Sequence, residues 1–82
     1  MDWCHVTFRS PNDAIAAQKA LDGVCPATVM PVLRQVSAGC GIALRLAPDG
    51  LEAARTALER ARIAAEYYAV TGTGEALACA RL

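Results

Sequence analysis

With 82 residues, eight basic and eight acidic side chains, zero formal net charge and 55% hydrophobic residues, the chain has the size of one domain and apolar material for one core. The cancelled charge leaves no electrostatic footprint for nucleic acid or an anionic membrane surface, so neither is expected as a partner. No apolar run approaches the roughly 20 residues of a membrane span, and Met1-Asp-Trp-Cys-His5 has neither the charged nor the apolar region of a signal peptide, so a cytoplasmic location is expected.

The first predicted element is a strand from Cys4 to Arg9, in which Cys4, Val6 and Phe8 alternate with His5, Thr7 and Arg9. Its polar set, with Trp3, is expected to decorate an open sheet face, where His5 would be solvated or at a dimer interface. A helix should follow at once. Ser10 is a good N-cap, Pro11 suits the first helical position because it has no amide hydrogen to satisfy, and Asp13 lies near the positive end of the dipole. Ala14, Ala17, Leu21 and Val24 recur at helical spacing, and Gly23 marks the exit. Ala27 to Leu33 reads as a strand that Pro31 confines to an edge or a bulge, since proline cannot donate to the ladder.

After a polar loop, Ile42, Leu44 and Leu46 alternate with Ala43 and Arg45 as a second amphipathic strand. Asp49 and Glu52 have capping-box spacing before a helical stripe of Leu51, Ala54, Ala57, Leu58 and Ala61, with Arg55, Glu59, Arg60 and Arg62 expected to face water. Ala65 to Val70 forms the fourth strand, and its adjacent tyrosines must point to opposite faces, Tyr67 or Tyr68 into the core and the other outward. This order predicts an α+β, ferredoxin-like βαββαβ sandwich over residues 1–71, a four-stranded antiparallel sheet with two helices on one face. A related α+β sandwich with another strand order is the alternative. Residues 72–82 form a C-terminal tail, open to a short helical turn, an extra edge strand or fraying.

The chemistry on offer is that of thiols. Cys4, Cys25, Cys40 and Cys79 are scattered without a Cys-x-x-Cys pair and His5 is the one histidine, so no metal or cofactor is expected. Cys4 reads as a small core residue on an apolar face. Cys25-Pro26 resembles the activated Cys-Pro at the helix start of a group of small sulfur-relay proteins, but here it follows a helix, so the dipole of a helix N-terminus is not available to it. Cys79 is an incidental thiol or a resolving partner for Cys40.

Cys40 is singled out by its loop, Arg34-Gln-Val-Ser-Ala-Gly-Cys40-Gly41, whose small residues leave a thiol accessible. Gly39 and Gly41 could let successive amides converge on an anion, and Arg34 or Arg45 could add positive charge, a setting that favours thiolate.

Pro31, Arg34, Ser37, Cys40, Gly41 and Ala43, in that order and spacing, resemble the signature of a small bacterial selenium/sulfur carrier protein-like family, with the likeness running from about His5 to Tyr68. The resemblance implies a carrier or accessory protein rather than a stand-alone enzyme. Cys40 would hold a persulfide or selenopersulfide taken from a cysteine desulfurase or another donor protein, with Arg34, Ser37 and Gly41 as its neighbours in the motif. The competing reading is a non-catalytic interaction or regulatory module of the same shape, homodimeric through its open sheet face, with Cys40 a sensor or bystander. RNA stacking on Tyr67 or Tyr68 is discounted, since the aromatic-glycine strand of that module is absent and the charge is zero.

Overall fold

In the computed structural model, which describes residues 1–36 and 41–82, the chain runs β1 (Trp3–Phe8), α1 (Pro11–Leu21), β2 (Ala27–Pro31), β3 (Ile42–Leu46), α2 (Leu51–Arg60), β4 (Ala65–Thr71) and β5 (Ala78–Arg81). The strands form a five-stranded sheet in the order β2-β3-β1-β4-β5 with every neighbouring pair antiparallel. Both helices lie on one face. There Cys4, Val6 and Phe8 of β1 and Leu44 and Leu46 of β3 pack with Ala14, Ala17 and Leu21 of α1 and Ala54 and Leu58 of α2. The alanines at the contacts let the helices approach the sheet, and each fully buried leucine contributes about 1.5–3 kcal/mol. Tyr67 joins this core from β4, while Tyr68 points to the opposite face.

Local chemistry sets most boundaries. Ser10 is extended and its hydroxyl accepts from the Asp13 amide at 3.2 Å, with Pro11 opening α1. Gly23, at φ +78°, turns the chain out of α1. Val24, which the helical spacing assigns to the inner stripe, lies beyond the helix end and is exposed. β2 is an edge strand and stops at Pro31, the register partner of Ile42.

Four further expectations are corrected. Asp49 and Glu52 make no capping box: Pro48–Gly50 is a short 3-10 turn, Gly50 is the N-cap of α2, and no side chain caps it. Proline opened the turn one residue before the aspartate. Arg55 does not face water but is half-buried, its guanidinium 4.7 Å from the centre of the Tyr67 ring. Ala61 is exposed and caps α2 rather than continuing its stripe. The sheet has five strands rather than four: of the forms open to residues 72–82 a short helical turn, Gly74–Ala76, and an extra edge strand, Ala78–Arg81, are both present, the latter adding to β4 with Cys79 opposite Val70 and Arg81 opposite Tyr68.

The exit of α2 is a Schellman motif. The Ile63 amide donates to the Leu58 carbonyl and the Arg62 amide to the Glu59 carbonyl, both at 3.0 Å, with Arg62 left-handed at φ +58° where glycine is usual.

Candidate functional site

Alternation along β1 sends Trp3, His5 and Thr7 away from the helices, and β1 is central, so they meet neighbours on both sides. His5 stands opposite Arg45 on β3 and Tyr68 on β4. The expectation of a solvated face fails here. Trp3, His5 and Thr7 are buried, His5 completely, and only Arg9, beyond the strand, is exposed.

Among the described residues, 32–36 at the start of the connection between β2 and β3 approach this face. The Val32 amide donates to the Gly41 carbonyl at 3.2 Å, extending the hairpin one step past the Pro31–Ile42 pair and closing a neck. Beyond the neck the chain turns back over the sheet. The Leu33 amide donates to Nε2 of His5 at 3.3 Å, linking two residues 28 apart in sequence. The Val36 amide donates to the Leu33 carbonyl at 3.0 Å, and the Val36 side chain is 4% exposed. Arg34 and Gln35, between these two anchors, face solvent. The first half of the loop is therefore held at its neck and at the imidazole, and Val36 beyond them is buried.

Polar groups on the face are mutually engaged. The Arg45 guanidinium lies 4.6 Å from the centre of the Trp3 ring, and Trp3 meets His5 edge-on, with centroids 5.6 Å apart and planes at 84°. Tyr68, 6.4 Å from His5 between centroids, donates its hydroxyl to Glu66 at 2.9 Å, and Glu66 also pairs with Arg81 at 3.3 Å. Burial pushes the His5 imidazole below its usual 6.5, favouring the neutral ring. Burial first, and then the Glu66 carboxylate, push the Tyr68 hydroxyl up.

Of the residues singled out from sequence, Arg34 is in the exposed turn and Gly41 closes the neck. Cys40, Ser37 and Gly39 lie outside the described residues. Gly41 is not in the left-handed region, and a Cβ there would meet nothing within 4 Å, so its own conformation does not demand glycine.

The three described cysteines are free, and each is a weaker acid than an ordinary thiol. Cys4 is buried on the helix side and pushed up by that burial. Cys25 follows α1 at its negative end, its amide donating to the Leu21 carbonyl; burial and then the charge of Asp49 push it up. It lines a cleft of about 630 Å³ with Lys19, Asp22, Val24 and Pro26. Cys79 is half-buried on β5, on the same face as His5, and burial raises it too. Among the described residues no group of His, Cys, Asp and Glu is placed to hold a metal ion, and no helix is long and apolar enough to cross a membrane.

Two members of this site escaped the sequence reading. His5 is a hydrogen-bond acceptor for the loop, and Val36 is buried; the one clue was an isolated large aliphatic in an otherwise polar loop.

Residues 4–69, from β1 into β4 and including this loop, match the profile of a family described as "Putative Se/S carrier protein-like". No curated protein and no solved structure shows a significant match.

Proposed function

Because the chain belongs to the Se/S carrier protein-like family, we propose that it carries sulfur or selenium on Cys40, as a persulfide or selenopersulfide. The observation that carries this reading is the family match over a loop closed at its neck and tied to the sheet at His5. The state of the other thiols supports it, since Cys4, Cys25 and Cys79 are all held away from the thiolate form. The frame fits a ferredoxin-like split βαβ, supported by the β2-β3-β1-β4 order and the two helices on one face, with β5 added at the edge.

In the transfer, the Cys40 thiolate attacks the terminal sulfur of a donor persulfide, R–S–SH. The new S–S bond forms on Cys40 as the donor's own S–S bond breaks, and the bonding pair leaves with the donor as R–S⁻. There is no net oxidation, so a small body with one nucleophilic thiol and a docking face suffices. A cysteine desulfurase is the donor that fits this chemistry, and a reducing compartment such as the cytoplasm keeps the thiols free.

Mass spectrometry after incubation with a cysteine desulfurase and cysteine tests the reading. One added sulfur is expected on the parent, none on Cys40→Ser, and the addition should persist in Cys25→Ser and Cys79→Ser, because a hydroxyl without a partner base cannot replace the thiolate. Label that follows Cys79 would move the carrier to β5. No label from any sulfur or selenium donor would favour the interaction module instead.

A further inference from the structure

His5 holds its loop by an unusual choice of acceptor. Backbone amides of a connection are normally satisfied by other backbone groups or water, yet the Leu33 amide is given to a fully buried imidazole from the central strand. For Nε2 to accept, the neutral ring must carry its proton on Nδ1. Nδ1 is itself buried and has no hydrogen-bond partner among the described residues. Protonation would place a second N–H at Nε2, facing the Leu33 N–H donor to donor, and nothing described would compensate at Nδ1.

Among the described residues, the charged and titratable groups around the ring do not favour a cation either. From β3 the facing group is Arg45, already positive and stacked on Trp3. From β4 it is Tyr68, whose hydroxyl is turned to Glu66, and Glu66 is paired with Arg81 of β5. Trp3 and Thr7 of β1, the ring's neighbours on its own strand and face, are uncharged, and the turn that covers it adds a further cation, Arg34.

We infer that His5 is the positioning residue of the β2–β3 loop: as a neutral ring it holds the Leu33 amide and seats residues 32–36 on the sheet, and on protonation it releases them. Proton uptake at one buried side chain thereby sets whether residues 32–36, which precede Cys40 in the chain, stay seated. The seating stands on the geometry alone, while its meaning for sulfur transfer rests on the function proposed above. Burial that disfavours the charged ring agrees with a release confined to acid conditions below 6.5.

Amide exchange followed by NMR on the full chain reads the contact directly, with Val6 and Leu44 as reference amides in the central strands. At pH 7.5 the protection factor of Leu33 should fall about fivefold or more in His5→Phe, which offers no acceptor. His5→Gln should restore it, because the glutamine amide oxygen accepts without titrating. In the parent, Leu33 protection should be lost as the pH is lowered below 6.5, whereas in His5→Gln it should stay level. Cys40 alkylation by iodoacetamide, taken as the ratio of parent to His5→Gln, should shift about threefold between pH 7.5 and the pH at which the parent loses Leu33 protection, while the same ratio for Cys25 stays constant.

Unchanged Leu33 protection in His5→Phe, or an equal loss with pH in parent and His5→Gln, would overturn the inference. So would a constant Cys40 ratio once Leu33 has been released. If His5→Phe does not fold, the pH comparison of parent with His5→Gln decides the matter alone. Failure of sulfur loading with these results intact would remove the carrier reading and leave the positioning role of His5 standing.

Discussion

Replacing Arg62 by glycine should stabilise the protein relative to replacing it by alanine. Arg62 is left-handed at φ +58°, pinned there by the two amide bonds that close α2, so relaxing the strain would break the Schellman pair. An L-residue in this region costs about 1–2 kcal/mol through the clash of its Cβ with the following carbonyl. Glycine removes that clash and returns about 0.4–1 kcal/mol of extra unfolded-state entropy. Arg62→Gly and Arg62→Ala both lose the exposed guanidinium, so their difference isolates the backbone. Glycine should come out ahead by about 0.5–1 kcal/mol, or roughly 2–8 °C in Tm for a domain of this size. Thermal and urea denaturation followed by circular dichroism give both values. Equal stability of the two variants, or a more stable alanine, would refute the claim that the left-handed turn stores strain.

Gly72→Ala should act in the opposite sense, because at φ +85° a Cβ would stand 2.4 Å from the Ala76 carbonyl oxygen; a loss above about 1 kcal/mol is expected, with faster amide exchange in β5 and unchanged exchange in β1. Leu58→Ala, at a fully buried core position, should cost about 2–5 kcal/mol by chemical denaturation, and a cost within the range of a surface change would contradict the core assignment. Native iodoacetamide labelling should leave Cys4 unmodified until unfolding, with Cys25 and Cys79 reacting at midpoints above the ordinary 9.0; an acidic midpoint at either would disprove their assignment as passive thiols. Stability should also fall in mild acid. The unfolded chain binds a proton at His5 near 6.5 and the folded ring only lower, so stability drops as pH falls from 6.5 and levels off below the folded value; identical urea midpoint slopes in parent and His5→Gln would refute this.

The elements legible in the sequence were those with local signals. Ser10-Pro11 fixed the start of α1 by capping chemistry, Pro31 marked an edge, and strict alternation placed Leu44 and Leu46 on the helix face. What could not be read required contacts distant in sequence. Alternation correctly separated His5 from Val6, but an exposed second face is only its default reading. The contact on that face comes from Leu33, read from sequence as the end of a strand that in fact stops at Pro31, and the buried Val36 beyond it belongs to no periodic segment. Ala78–Arg81 is too short to show a period, and its pairing depends on Gly72 and Gly74 turning the chain back at positive φ. At the candidate site, Arg34 and Gly41 proved to be an exposed turn residue and a neck closure, while Cys40 and Ser37 lie outside the described residues and rest on the motif alone.

β5 also decides which backbone the sheet shows to other molecules. β4 is seven residues long and carries Tyr67, Tyr68 and Val70, so its outer rim, uncovered, would offer a long apolar template to any extended chain. With β5 in place that rim is hydrogen-bonded, and the strand now outermost has four residues and ends in Arg81, paired to Glu66. The opposite rim belongs to β2, five residues ended by proline. Both borders are thus short and interrupted by a charge or a proline, a guard against self-association into fibres. Removing residues 78–82 should therefore be felt as aggregation on storage as well as in the melting temperature.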